Sequence, residues 1–417
     1  MSSGLRSIWP LFAGVLLLYL GHGLQGSLVS INSAALDISS TATGIVMAGF
    51  YAGLFISSIL SPGIVGRVGH IRAFAAFASL VSSAILLMPL WHNAIWWFAL
   101  RVIVGACISG LAIVAESWMN ASSSNENRGK MLSIYMIVTY AAYGSGQFLL
   151  NVADGSGYVR FILVSVLLSL ALVPISLARV QTPSVEMPKS VALIDVFNLS
   201  PLAFVGTFVA GLAQSAFFTM GPIYAVDKNL SLAEVSMMMA LPSLAMIFTQ
   251  YPIGSLSDRF DRRIVITALT FLSALVTAVV FAVPGNNAYF LIAMLGLFGA
   301  LSFPIYSLSI AHANDYLESD QMLGASAKLV LIYGVGAIVG PATAGVVMQF
   351  SGSDGFMAYL VLVHGGLGLY AVLRMVLRPD TPEETGDYIP VAPQATPIVV
   401  QAVEEEYEEL AAESGHE

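Results

Sequence analysis

The chain has 417 residues, 57% of them hydrophobic and only 10% charged, with a mean hydropathy of +0.82. Soluble domains carry about 25% charged residues, and a water-facing surface does not vanish as a chain grows, so this composition excludes an ordinary soluble fold and points to a bilayer as solvent. The net charge of −9 belongs to the C-terminal stretch: after Arg378 there is no Lys or Arg, and eleven of the 25 acids fall there, which leaves the body slightly basic.

Taken in order, apolar runs separated by short polar or Gly/Pro/Asn turns predict twelve helices. They start near Trp9, Thr43, Ile71, Ala94, Gly129, Tyr158, Pro201, Ala233, Arg263, Asn287, Met322 and Gly355. Each is about 20–28 residues long, enough to cross a bilayer with some tilt. The first apolar stretch is too long for a signal-peptide core and is followed by more spans, so it reads as an uncleaved helix. The longest polar interruption, with Gln181, Pro183, Glu186, Pro188 and Lys189, has the composition of a linker.

That interruption predicts a six-helix bundle over 1–180, a linker over 181–200, a second bundle over 201–378 and an acidic disordered tail over 379–417. The tail is Pro-rich and then acidic, without the apolar content to fold alone. With the N-terminus in the cytoplasm, the inner segments collect most of the Arg and Lys, and the outer ones only Arg160 and Lys228. The positive-inside rule then places both termini in the cytoplasm. Trp91, Trp96 and Trp97 fit an interfacial aromatic belt at the outer turn between spans 3 and 4.

A shift of 192 residues lays Gly66-Arg67-Val68-Gly69 onto Asp258-Arg259-Phe260-Asp261, Met47 onto Met239 and His22 onto Gln214. Parallel repeats about an axis normal to the membrane are a transporter architecture. The loop after span 8 reads Gly254-Ser255-Leu256-Ser257-Asp258-Arg259-Phe260-Asp261-Arg262-Arg263, and the loop after span 2 is a weaker copy with Gly66 in place of the acid. Both resemble the G-x-L-x-D-R-x-G-R-R loops of the major facilitator superfamily. Arg101-Val102-Ile103-Val104-Gly105 is similar to that family's R-x-x-x-G motif in span 4. Glu116-Ser117-Trp118-Met119-Asn120, Arg128-Gly129-Lys130 and Ala311-His312-Ala313-Asn314-Asp315 look like its YcaD-like branch.

The resemblance covers about residues 8–378 and implies an all-α integral membrane fold of two six-helix bundles, with spans 1, 4, 7 and 10 around a central cavity. It also implies a conformational latch at the loops, for which the candidates are Glu116 with Arg128, and Arg67, Asp258, Arg259, Arg262 and Arg263. Span 11 carries Gly334, Gly336, Gly340 and Pro341, small residues that permit close packing and a proline that permits a bend, and is the candidate hinge. The similar Gly/Pro stretch of antiporters in the superfamily lies in span 5, which has no proline here.

Polar groups inside the spans are costly in hydrocarbon and so are functional candidates. His22 and Gln25 are three apart on one face of span 1, and His titrates near neutral pH. Arg101 lies about two turns below the outer surface. With Tyr143, Gln147, Gln214, Tyr306 and His312 these form the candidate substrate-binding set, as pockets are mostly apolar and aromatic with a few placed polar groups. The plainer readings are interhelical hydrogen bonds for His22 and snorkelling for Arg101. Glu116 is the only carboxylate within the first six spans, and reads equally as a latch to Arg128 or as a proton carrier.

No Gly-Lys-Ser/Thr phosphate loop, no metal-ligand spacing and no basic nucleic-acid patch is present, and Cys107 is the sole cysteine. No enzyme, metal or cofactor is expected. The expected function is a monomeric secondary transporter of the cytoplasmic (inner) membrane, moving a small polar or aromatic solute by alternating access, with the bilayer as solvent and protons as candidate coupling ion. Proton-driven multidrug or metabolite efflux and a non-transporting membrane sensor are the alternatives. Arg101 with His22, and no acid in the middle of spans 1 and 7, favour a neutral or anionic solute.

Overall fold

A computed structural model describes residues 3–34, 38–122, 128–152, 157–177, 192–283, 287–317, 319–377 and 388. All regular structure among them is helical. The elements are α1 (Ser3–Ala34), α2 (Ser40–Val68), α3 (His70–Leu87), α4 (Ala94–Ala121), α5 (Arg128–Gln147), α6 (Gly157–Leu170), α7 (Leu172–Leu177), α8 (Leu193–Leu199), α9 (Pro201–Asp227), α10 (Leu232–Arg259), α11 (Arg262–Ala282), α12 (Ala288–Ser302), α13 (Pro304–Asn314), α14 (Ser319–Ser351) and α15 (Gly355–Leu377). Linker residues 181–191 and, apart from Tyr388, the tail from 379 lie outside the described residues.

Among the described residues, eleven helices are long and apolar enough to cross a membrane, counting α6 with α7 and α12 with α13 as one each. The exception is α5, which is more polar than the rest. It packs between α1 and α10 and turns Tyr135, Thr139, Tyr140 and Tyr143 towards the interior. Starts follow local chemistry. Ser39, Asn93, Ser231 and Asn287 each accept a backbone N–H in the first turn of α2, α4, α10 and α12, and Ser231 with Glu234 forms a full capping box. Gly69, at φ 86°, turns the chain between α2 and α3 in a conformation that glycine tolerates.

Three expected features differ. The tenth span is broken at Phe303, because Pro304 cannot donate to the turn before it and instead opens α13. The expected linker contains the short helix α8, whose Val196 is buried and whose Phe197 meets Phe204 of α9 edge to face at 5.3 Å. In the expected tryptophan belt only Trp91 is well exposed (58%), whereas Trp97 is buried against Phe161 and bonded to the Trp91 carbonyl.

Helices α1–α7 pack among themselves, as do α9–α15, and the two sets meet through α2 on α14, α5 on α10 and α1 on α9. Their meeting points gather towards one end, here called distal. Ser40 N–H donates to Gln349 (3.0 Å), Asn151 donates to Ser236 (2.9 Å), and Gly44 lies against the backbone of Pro341. Toward the opposite, basic end α2 diverges: a side chain added at Gly63 or Gly66 would meet nothing within 4 Å. The glycines of α14 make close helix contacts possible. Gly336 and Gly340 face backbone carbonyls of α9, and Gly334 faces Phe55 of α2.

Candidate functional site

A cavity lies between the two sets of helices, on the basic side of their distal contacts. Its wall draws on both. Tyr19 of α1, Tyr51 of α2, Glu116 of α4 and Tyr135, Thr139, Tyr140 and Tyr143 of α5 face Gln214 and Phe218 of α9, Ser243 and Met246 of α10, Phe303, and Tyr333 of α14. Six tyrosines, two phenylalanines and a methionine make a surface that takes ring faces and edges, while the hydroxyls and amide supply directional bonds.

Two hydrogen-bonded groups give this wall its polarity. On one side Tyr135 donates its hydroxyl to Glu116 Oε1 at 2.8 Å, and the Tyr19 hydroxyl lies 3.5 Å from that of Tyr135. Glu116 is only 1% exposed, so its carboxyl group takes its bonds from protein groups rather than from bulk water. On the other side Tyr333 donates to Gln214 Oε1 (3.2 Å), and Gln214 Nε2 donates to the Phe303 carbonyl (3.3 Å). The Phe303 carbonyl, at the junction of α12 and α13, thus orients a wall amide.

Of the residues singled out from sequence, Tyr143 and Gln214 line the cavity, and Glu116, read as latch or proton carrier, lines it too. His22, Gln25 and Arg101 lie behind the wall. The His22 ring sits among Tyr19 (6.1 Å), Phe50 (5.3 Å) and Tyr143 (5.1 Å), and the Arg101 guanidinium stacks 4.7 Å over Phe50. Gln147 spans α1 and α5 instead: it accepts from Ser27 at 2.6 Å and donates to the Gly23 carbonyl at 2.9 Å. Tyr306 backs Tyr333 edge to face at 4.9 Å. His312 is remote, at the basic end, against Tyr316. Tyr19, Tyr51, Thr139, Phe218, Ser243 and Met246 were not predicted. A signal existed for Tyr19, which shares a face with His22, and for Thr139, one turn from Tyr135 and Tyr143.

At the basic end, the expected latch residues divide. Arg262 bridges two carboxylates, Asp258 one turn earlier (3.0 Å) and Asp315 after α13 (2.5 Å), and also donates to the Ala311 carbonyl. Arg263 forks onto Asp261. Burial acts to raise the Asp261 carboxyl, but the bonds from Arg263 outweigh it and hold the group below the usual carboxylate range. Arg259 and Arg67 are exposed and form no ion pair among the described residues. The side chain of Arg128, the expected partner of Glu116, lies outside the described residues. All members of the Asp258–Arg262–Asp315 group belong to α10–α13, so it braces one set of helices. Tyr388 joins it, donating its backbone N–H to Asp258 (2.9 Å) with its ring against Gly254.

A polytopic helical membrane protein with an aromatic cavity between two packed sets of helices has the build of a solute transporter. The chain belongs to the Major Facilitator Superfamily, whose family model matches residues 11–196 and 203–405. It is 26% identical over 380 residues to the MFS-type transporter YcaD of Escherichia coli (strain SMS-3-5 / SECEC), spanning 90% of this chain and 97% of that one. The YcaD of Shigella flexneri serotype 5b (strain 8401) matches equally well. Among solved structures, the nucleoside transporter NupG superimposes with a TM-score of 0.69 at 14% identity, over 89% of this chain and 100% of that one. A bacterial homologue of the human lysosomal transporter Spinster, inward-facing and unoccupied, gives 0.65 at 12% identity over 98% and 99%. At such identities the structural likeness concerns the fold.

Proposed function

We propose that this protein is a secondary active transporter that carries a small, flat aromatic solute through the cavity by alternating access, with Glu116 as the group that couples the cycle to protons. The observation that supports it is the wall itself: aromatic rings from both sets of helices surround one buried carboxylate, bonded to Tyr135. Ring stacking holds the solute's body, and Gln214, Thr139 and Ser243 read its polar edge. His22, Gln25 and Arg101 support Tyr143 and Phe50 from behind, and enter the site when the distal contacts part.

In this reading the chain lies in the cytoplasmic membrane with both termini inside, α5 supplies the twelfth crossing, and the bundles 1–180 and 201–378 rock about the cavity as the Gly/Pro stretch of α14 flexes. The distal contacts and the divergence of α2 at the basic end correspond to a state closed to the outside. The test is uptake into proteoliposomes holding the full-length protein. A panel of radiolabelled aromatic metabolites is offered with and without an imposed pH gradient. Flux of one class that depends on the gradient, and is lost in Tyr143→Ala, is expected. Flux indifferent to both changes would sink the proposal.

A further inference from the structure

At the basic end, apart from the transport cavity, a second, small crevice opens between the start of α9, the first turn of α11, the end of α13 and the last turn of α15. Ser200, Pro201 and Leu202, Arg263, His312 and Arg374 line it. Nothing in the proposed transport cycle uses it.

Ser200 stands at the N-cap of α9, where a serine ordinarily accepts a backbone N–H from the first turn. Here its backbone is at φ −137°, ψ 81°, and its side chain makes no cap bond. The residue is 2% exposed, and its Oγ is buried with no hydrogen-bond partner. A buried hydroxyl left so is destabilising, and a ligand that bonds to it relieves that cost. Pro201, the first helical residue, has no N–H, but Leu202 and Ala203 occupy positions whose N–H groups have no acceptor within a helix. The 27-residue α9 therefore turns its positive end into the crevice.

Across from it stands Arg374, half-buried in the last turn of α15 and in no ion pair among the described residues. Arg263 is largely matched by Asp261 and contributes shape more than net charge. His312 lines the crevice beside it. A helix N-terminus, an unsatisfied hydroxyl and a guanidinium fork converging on one small space are what a tetrahedral oxyanion with several acceptors requires.

We propose that this crevice is a phosphate-binding site, held by Ser200, the N-terminus of α9 and Arg374. Its place at the basic end of the helices puts it within reach of a lipid phosphodiester, and equally of a phosphate group on a soluble molecule.

The test uses detergent-purified full-length protein and its thermal unfolding midpoint, which a ligand of the folded state raises by mass action. One arm adds inorganic phosphate against chloride at equal ionic strength. The other compares mixed micelles containing phosphatidylglycerol with micelles containing phosphatidylcholine. A saturable rise of about 3 °C is expected in at least one arm. It should vanish in Arg374→Gln, fall by at least half in Ser200→Ala, survive in part in Arg374→Lys, and persist in Arg72→Gln, which removes an exposed charge elsewhere at the same end. A rise with phosphatidylglycerol alone assigns the site to a lipid headgroup, and a rise with inorganic phosphate assigns it to a soluble phosphate. No rise in either arm, or a rise that Arg374→Gln and Ser200→Ala leave intact, overturns the proposal.

Discussion

The Tyr135 hydroxyl donates to Glu116 at 2.8 Å, and both side chains face the same aromatic cavity. This pairing joins α4 to α5 at the point where the cavity carries its one carboxylate. A carboxylate taken out of water is tolerated only when protein groups replace its hydration. The tyrosine supplies part of that replacement and sets which oxygen a solute or proton meets.

Glu116→Gln keeps the shape and removes the titration. We expect the variant to bind the solute within about threefold of the parent and to lose pH-gradient-driven accumulation, read in proteoliposomes. Tyr135→Phe removes a hydrogen bond to a charged group, of a kind worth about 1.5–3 kcal/mol, and is expected to lower the unfolding midpoint and slow transport together. Accumulation that persists in Glu116→Gln would remove the carboxylate from the coupling step.

Gln147 provides the contrast. Its amide oxygen accepts from Ser27 and its nitrogen donates to the Gly23 carbonyl, so it fastens α1 to α5. Gln147→Leu leaves the buried Ser27 hydroxyl without its acceptor and strips the Gly23 carbonyl of a bond beyond its helical one, at about 1–3 kcal/mol. The unfolding midpoint should fall by several degrees while affinity of the folded fraction for solute stays the same. A large change in affinity with an unchanged midpoint would instead return Gln147 to the binding site.

The difference between Gln147 and Glu116 marks how far the sequence could be read. Span positions were legible, because hydropathy follows directly from the bilayer. Which way a polar group faces was not. Gln147, His22 and Arg101 look alike in a hydropathy reading, yet one is a strut and two stand behind tyrosines. Tyr19 and Tyr51 were invisible for the opposite reason, since an aromatic in an apolar run has the same signature facing lipid, core or cavity. His312 lies at the basic end because it falls in the last turn of α13, at the far end of its span from the distal contacts.

Gly44 tests the distal closure. A Cβ there would run into the Pro341 backbone carbonyl, and neither backbone can yield cheaply. Gly44→Ala should part α2 from α14 and break the Ser40–Gln349 bond nearby. In a Cys107→Ser background, a cysteine introduced at Gln349 is expected to react with a maleimide several times faster when Gly44 is replaced. Equal rates would mean that the distal contact bends without opening.

Gly254 reports on the tail. A Cβ at this position would overlap the Tyr388 ring, so Gly254→Ala should evict it from its seat beside Asp258. Burial pushes the Tyr388 phenol up to about 12, as expected of a ring withdrawn from solvent. Chymotrypsin cleavage after Tyr388, followed by intact mass, should run several-fold faster in Gly254→Ala than in the parent. The same rate in both would show that the ring does not depend on the glycine for its place.

The arginines that follow α10 look alike in sequence and are expected to behave differently. Arg262 is 2% exposed, and its fork bridges Asp258, Asp315 and the Ala311 carbonyl. Removing it leaves Asp315, 3% exposed at its side chain, without the cation that balances it. Breaking a buried pair in this way costs about 3–5 kcal/mol, so Arg262→Ala should be poorly folded at 37 °C. Arg262→Lys keeps the charge, but an ammonium cannot reach two carboxylates and a carbonyl in one plane, and it should recover only part of the loss. Arg259→Ala, at an exposed position with no ion pair among the described residues, should fall within about 0.5 kcal/mol of the parent. The three unfolding midpoints, measured side by side in one detergent, decide it. If Arg259→Ala proved as damaging as Arg262→Ala, the brace would lie in the charge of the whole loop and not in the one bridging guanidinium.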